Sequence, residues 1–225
     1  MTVDVYSDTV CPWCLIGARR LQLAGELLAD ELALEIRWRP FELNPEMPPE
    51  GMGRREYREA KFASLERSRE LDAGTVEAGA GDGVSFRYDL IERTPNTFAS
   101  HRLIWMATGE RLDEDMAQRL LHAYFTEGRD VGDLDVLAEV AGEAGLDRAA
   151  TRDRLAGDEG EKEVRDAQRL ARQRGVNAVP FFLLDDRYGL PGAQPPAVLA
   201  AALQEVAKKT GGAGASSGGE RWPSQ

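Results

Sequence analysis

The chain has 225 residues, 42% of them hydrophobic and 30% charged, with a formal net charge of −11. So acidic a chain offers no strong basic face, which argues against non-specific nucleic-acid binding. No apolar run approaches the length that spans a bilayer, which argues against a membrane partner. The apolar content is ample for a core in one or two domains. Met1-Thr2-Val3-Asp4-Val5-Tyr6 carries neither a basic n-region nor a long apolar stretch, so no secretory signal is read and the expected compartment is the cytoplasm.

Val3 and Val5 alternate with Asp4 and Tyr6 as a short first strand. From Pro12 to about Asp30 the pattern is helical, with Ile16, Arg20, Leu23 and Leu27 on one face. Leu34, Ile36 and Trp38 alternate as a second strand that ends at Pro40. Strand, helix and strand in this order predict a right-handed βαβ unit with parallel strands. The next hundred residues read as helices without a convincing strand. One is expected over Arg54 to about Ala78, with Tyr57, Phe62 and Leu65 as contacts. Another opens at Thr94-Pro95, with threonine as N-cap and proline at the first helical position. Further helices are read over Asp113 to Glu127, Asp133 to Ala144 and Arg148 to Leu155.

A charged helix follows over Asp158 to Arg174, with Val164, Ala167 and Ala171 inward. Phe181 to Leu184 is a continuous apolar strand, of the kind buried on both faces. Asp185-Asp186-Arg187 turns into a hairpin partner at Tyr188. A last helix runs to about Lys209, and Gly211 to Gln225 reads as a disordered Gly/Ser/Ala-rich tail. The sum is an α/β protein: a thioredoxin fold (residues 1–43 and 157–210) interrupted by an all-helical insertion domain (residues 44–156).

The two cysteines of the chain, Cys11 and Cys14, fall where the first strand gives way to the first helix. A C-x-x-C at that place is a thioredoxin-like redox signature. A helix N-terminus carries free N–H groups and partial positive charge, which favour a thiolate. Proline at the first helical turn costs no hydrogen bond. Half of a zinc site is an alternative, but it needs two more ligands and only His101 and His122 are available. Two inert core cysteines are the other alternative. The histidines themselves read as core or helix-surface residues, with a small weight on His101 as a proton carrier. Val179-Pro180 enters the third strand opposite the cysteine pair, and this X-Pro bond is expected to be cis. It would present the Val179 backbone to an extended peptide adding as a strand.

The stretches Ser7-Asp8-Thr9-Val10-Cys11-Pro12-Trp13-Cys14-Leu15-Ile16-Gly17, Trp38-Arg39-Pro40-Phe41, Thr94-Pro95-Asn96-Thr97, His101-Arg102-Leu103, Val179-Pro180-Phe181-Phe182 and Tyr188-Gly189 through Pro195 resemble the DsbA-type proteins of the thioredoxin superfamily. The branch is the FrnE-like one, related to the 2-hydroxychromene-2-carboxylate isomerases and kappa-class glutathione transferases. The resemblance implies thiol–disulfide exchange on protein or small-molecule thiols, with no resident cofactor and glutathione as a candidate co-substrate. Cys11 is then the exposed attacking thiolate and Cys14 the more buried resolving one. Pro12 and Trp13 shape and cover the pair, and Val179 and Pro180 position the substrate. The alternatives are a glutathione-dependent isomerase or transferase and a non-catalytic module that docks a partner on the helical insert. The isomerase and transferase relatives typically carry serine where this chain has Cys11. They also tend to place an acidic pair where it has Ala193-Gln194. The first departure favours exchange over isomerisation, and the second argues against a dedicated glutathione site.

Overall fold

The structure is a computed structural model that describes residues 1–211; of the tail expected over Gly211 to Gln225, Gly211 ends the last helix and the rest lies outside the described residues. β1 (Thr2–Ser7) pairs in parallel with β2 (Glu35–Pro40) through α1 (Pro12–Leu27), as the βαβ reading requires. β5 (Phe181–Leu184) pairs antiparallel with β1, and β6 (Tyr188–Pro191) with β5, giving the sheet order β2-β1-β5-β6. The hairpin turn places Asp185 and Asp186 at positive φ of 46° and 54°, a conformation that short polar side chains tolerate. α8 (Glu161–Gln173) precedes β5, and α9 (Pro196–Gly211) closes the described chain against α1.

Between β2 and α8 lie α2 (Arg54–Phe62), α3 (Leu65–Ala80), α4 (Phe98–Thr108), α5 (Asp113–Phe125), α6 (Leu134–Glu143) and α7 (Arg148–Ala156). Three readings change here, and two more in α1 and β5. The helix expected from Arg54 to Ala78 is two helices: Ala63 turns left-handed (φ 65°) and the Ser64 hydroxyl caps α3 by accepting from the Arg67 N–H. Thr94-Pro95 does not open a helix. Thr94 belongs to a two-residue strand, β4 (Arg93–Thr94), paired antiparallel with β3 (Met52–Gly53). That small ladder is also the strand pairing the sequence did not disclose. α4 starts later, where the Asn96 side chain accepts from the Phe98 N–H and donates to the Met47 carbonyl. The inward face of α1 is also partly different: Ile16 is buried as expected, but Leu27 is 64% exposed, and Cys14, Gly17, Ala18, Leu21 and Ala24 complete the buried face. The small residues Gly17, Ala18 and Ala24 form the packing face because the helix is pressed close against its neighbours. Large side chains alone misled the periodicity. In β5 the burial alternates, with Phe182 and Leu184 in the main core and Phe181 and Leu183 only half-buried against Tyr6, Phe41, Ala171 and Val176.

One hydrophobic cluster runs without a break from the sheet into the helical block, joining Val3, Val5, Leu21 and Phe182 to Leu103, Leu120, Leu137 and Leu199. Polar struts reinforce the junction. Arg20 of α1 donates to Asp82 Oδ2 at 2.6 Å, to the Ala78 carbonyl at 2.8 Å and to the Ala193 carbonyl at 2.6 Å. One side chain thus ties α1, the end of α3 and the approach to α9. On β1 the fully buried Asp4 carboxylate takes Arg37 at 2.8 Å and Arg39 at 2.7 Å. No helix among the described residues is long and apolar enough to cross a membrane.

Candidate active site: a dithiol at the start of the first helix

β1 ends at Ser7, and the chain turns through Asp8 to Val10 before α1 begins. The Cys11 N–H donates to the Asp8 carbonyl at 3.1 Å, and the Cys14 N–H to the Cys11 carbonyl at 2.9 Å. Cys11 is the N-cap residue, in extended conformation, and Pro12 takes the first helical position. The local sequence dictates this: proline has no N–H to waste and its fixed φ suits the first turn. The Cys11 residue therefore sits at the positive end of the α1 dipole, where a negative charge is favoured.

Cys11 and Cys14 are free thiols. The Cys14 thiol is pushed well above a thiol's ordinary value by burial first, then by its hydrogen bond with Cys11 and the charge there. The Asp8 N–H and the Ser7 hydroxyl, both hydrogen-bonded to Cys14, pull the other way. The expected exposure of Cys11 is corrected. It is only 4% exposed, and its thiol points to the Val179 carbonyl at 3.6 Å. Trp13 is the exposed member of the motif, at 43%. Cys11 is covered because the loop before β5 folds over it, and the Val179–Pro180 peptide there is cis, as expected from the sequence. The structure thus brings Cys11, Pro12, Trp13, Cys14, Val179 and Pro180 to one place.

Gly17 fixes how closely that loop approaches. A Cβ on Gly17 would lie 2.9 Å from Pro180 Cγ and 3.3 Å from Phe182 Cζ, closer than side chains tolerate. Gly17→Ala is expected to destabilise the fold by about 1–3 kcal/mol and to displace the loop from Cys11. Chemical denaturation together with the alkylation rate of Cys11 checks this. An unchanged melt and an unchanged rate would contradict it.

Behind the cysteines is a buried polar group that motif reading missed. Asp8 is fully buried, His101 3% exposed and Glu42 7% exposed. His101 Nε2 stands 3.5 Å from Asp8 Oδ1, and Asp8 Oδ2 accepts from the Leu43 N–H at 2.7 Å. The hydroxyls of Thr9 and Ser100 meet at 2.8 Å and tie this corner to α4. His122, by contrast, is on the surface beside Glu127 at 3.2 Å. The sequence signal for His101 is thin: it falls in the His101-Arg102-Leu103 stretch of the resemblance and carries a small weight as a proton carrier, but it is set among apolar residues of α4, far along the chain from the cysteines. Among the described residues no group of three His, Cys, Asp or Glu is arranged to hold a metal ion.

Burial lifts the Glu42 carboxyl above the usual carboxylate range, against the opposing influence of His101 and the Gln168 amide. The folded protein therefore holds the Glu42 proton to higher pH than the unfolded chain does. The associated stability is complete below the unfolded carboxyl's titration and is lost as pH rises through the folded one. Glu42→Gln is expected to raise the melting temperature at neutral pH and to flatten the decline between mildly acid and neutral pH. Urea melts of both proteins across that window test it, and parallel pH profiles would contradict it.

The fold and this site define a thioredoxin-type protein with a dithiol at a helix N-terminus. The chain matches the DSBA-like thioredoxin domain family over residues 2–204 and belongs to it. It is 32% identical to a probable DsbA oxidoreductase from Streptomyces coelicolor, with a TM-score of 0.85 over 93% of this chain and 91% of that one. It is 27% identical to the uncharacterized protein YwbO of Bacillus subtilis (strain 168), over 92% of this chain and 98% of that protein. It shares the fold of the cytosolic disulfide reductase DsbM from Pseudomonas aeruginosa with GSH, at 22% identity and a TM-score of 0.68, covering 92% of this chain and all (100%) of that one.

Proposed function

We propose that this protein is a thiol–disulfide oxidoreductase that works through Cys11 and Cys14. The observation that carries the reading is the pair of free, hydrogen-bonded thiols at the N-terminus of α1, with Cys11 facing the Val179 carbonyl. Cys11 attacks a substrate disulfide as the thiolate and forms a mixed disulfide. Cys14 then attacks Cys11 Sγ, the substrate thiolate leaves, and Cys11–Cys14 is oxidised. The reverse sequence reduces Cys11–Cys14 and oxidises a dithiol. Pro12 and Trp13 form the wall beside the attacking sulfur, and Val179 and Pro180 position the incoming chain, which pairs with the Val179 backbone as an added strand.

Protein and small-molecule thiols are the partners, with no resident cofactor or metal. Glutathione is the small thiol best supported, by the likeness to DsbM with GSH. That likeness also supports a cytoplasmic setting. A net charge of −11 supports neither a nucleic acid nor an anionic membrane as partner. The presence of sulfur at Cys11 and of Ala193-Gln194 before α9 supports exchange over a glutathione-dependent isomerase or transferase.

Equilibration in graded reduced and oxidised glutathione, followed by Trp13 fluorescence and intact mass, tests the reading. A reversible transition with loss of two hydrogens is expected. A stable glutathione adduct at Cys11 without that transition would replace exchange with the transferase reading. No change at all would leave a binding module.

A further inference from the structure

Away from the dithiol, α2, the start of α3 and the segment before β4 enclose an open cleft of about 580 Å³, within the size range of small-molecule sites. Arg54, Arg55 and Arg58 of α2 and Arg69 of α3 line it, with Asp72, Asp89 and Glu92 as its acidic groups. Leu65 and Ile91 add apolar wall. Cys11, Cys14, Val179 and Pro180 take no part in it. Along the arginine wall the charges do not cancel. Asp72 gives one oxygen to Arg54 Nη2 and the other to Arg58 Nη2, each at 2.6 Å, so two guanidiniums, 15% and 13% exposed, share one carboxylate. Burial lowers the proton affinity of Arg58; Asp72 raises it and the charge of Arg54 lowers it further. A guanidinium does not release its proton near neutral pH, so the surplus positive charge stays.

Fastening α2 to α3 accounts for only part of this wall. Arg58 does that work: its Nε donates to Ser68 Oγ at 2.6 Å and its Nη2 to the Ser68 carbonyl at 2.9 Å as well as to Asp72. Arg54 lies over the Tyr88 ring at 5.0 Å, and its Nε and Nη1 donate to no acceptor among the described residues. Arg69 is exposed and has no ion-pair or hydrogen-bond partner among the described residues. Of the acids, Asp89 is held by Arg87 at 2.7 Å. Glu92 has no cationic partner among the described residues and opposes an anion at the β4 edge, which confines an acidic group to the α2–α3 wall.

We infer that this cleft is a binding site for a small organic anion, its carboxylate or phosphate group held by Arg54, Arg58 and Arg69. The planar guanidinium fork matches the oxygens of either group. The chain as a whole, at a net charge of −11, repels anions, so the attraction is local to these side chains. The helical insert thereby carries a ligand site of its own, independent of the exchange reading.

Isothermal titration of the reduced full chain with citrate and, separately, with inorganic phosphate at constant ionic strength tests this. Saturable one-to-one binding of at least one probe is expected: citrate alone marks carboxylate recognition, phosphate alone phosphate recognition, and both mark the shared oxyanion. Arg69→Ala is expected to weaken binding about tenfold, the scale of one hydrogen bond to a charged group, and Arg54→Gln to weaken it at least as much. Arg67→Ala removes an equal charge from the same helix, one paired with Glu70, and should leave binding unchanged. No saturable binding of either probe overturns the proposal. Undiminished binding in Arg69→Ala overturns it by placing the anion elsewhere, and equal weakening by Arg67→Ala and Arg69→Ala overturns it by reducing the effect to diffuse charge. Should Arg54→Gln fail to fold, Arg69→Ala decides alone, because Arg69 makes no contact on which the fold depends. Cys11→Ser should bind the probes as the wild type does, so a failure of exchange leaves the site standing. Loss of binding in Cys11→Ser would move the anion to the dithiol and overturn the site.

Discussion

Cys11→Ser is expected to reduce exchange to background, whereas Cys14→Ser is expected to capture substrate and hold it as a mixed disulfide. The two variants differ although the residues are one helical turn apart. A thiolate at the N-cap lies at the positive end of α1, and a serine hydroxyl there is not ionised near neutral pH, so no nucleophile remains. Cys14 sits one turn deeper, 1% exposed and with its thiol pushed well up by burial. It is a poor first nucleophile for a bulky disulfide and a well-placed second one, because its sulfur is already in contact with that of Cys11. Turnover on a protein disulfide, with non-reducing intact mass of each variant, reads both effects. Equal residual turnover in the two, or no adduct on Cys14→Ser, would undo the assignment of roles. The covering of Cys11 by the Val179 loop adds a condition: the substrate must displace the Cys11–Val179 contact to reach the sulfur, taking its place on the Val179 backbone.

The largest loss of stability is expected from Arg102→Ala. Arg102 lies in α4, 4% exposed, and its guanidinium donates to four backbone carbonyls: Glu159 at 2.8 Å, Leu155 at 3.0 Å, Arg154 at 3.1 Å and Gly157 at 2.7 Å. It satisfies the orphan carbonyls at the C-terminus of α7 and shapes the turn into α8. Burial lowers its affinity for the proton, and the charge of Glu161 and Asp158 restores part of it. Hydrogen bonds to a charged donor contribute about 1.5–3 kcal/mol each and are not additive, so a loss of about 3–4 kcal/mol is expected. At about 2–4 °C per kcal/mol for a chain of this size, the melting temperature should fall by about 10 °C. Arg67, on the exposed face of α3 in a pair with Glu70, is the control: Arg67→Ala should cost about 0–1 kcal/mol. Equal effects of the two would show that the carbonyl cage contributes nothing special. Arg102 also sets the position of α4 against α7 and α8. Its loss should therefore loosen the adjacent His101 from Asp8.

Much of the sheet was legible. Val3 and Val5 mark β1, Ile36 and Trp38 mark β2, and Phe182 and Leu184 mark β5, because alternating or continuous β-branched and aromatic runs report burial on a pleated surface. Helices with strong terminal signals were also legible: Asp133 caps α6 through its carboxylate, and Gly128 and Gly145 take positive φ beyond the ends of α5 and α6. The signals that misled were local ones overridden by pairing. Thr94-Pro95 carries the marks of a helix start, but Thr94 is held extended by Met52. The break at Ala63-Ser64 rests on one left-handed residue that composition does not announce.

The sequence by itself determined where the candidate centre lies. Cys11, Pro12, Trp13 and Cys14 are contiguous, and the physics that makes the centre, a thiol at the N-terminus of a helix, is local to one turn. Val179-Pro180 could be placed because strand order fixes which loop faces that turn. Only the tertiary structure decided what lies behind and over the thiols. His101 stands about ninety residues from Cys14 along the chain, and Glu42 enters from the far end of β2. Their proximity to Asp8 results from α4 packing onto the end of the sheet through one shared core. Whether a histidine is a surface residue, as His122 is, or a buried neighbour of a carboxylate, as His101 is of Asp8, depends on which helix face that core covers. Such a choice is made by long-range packing, and no local pattern in the chain encodes it.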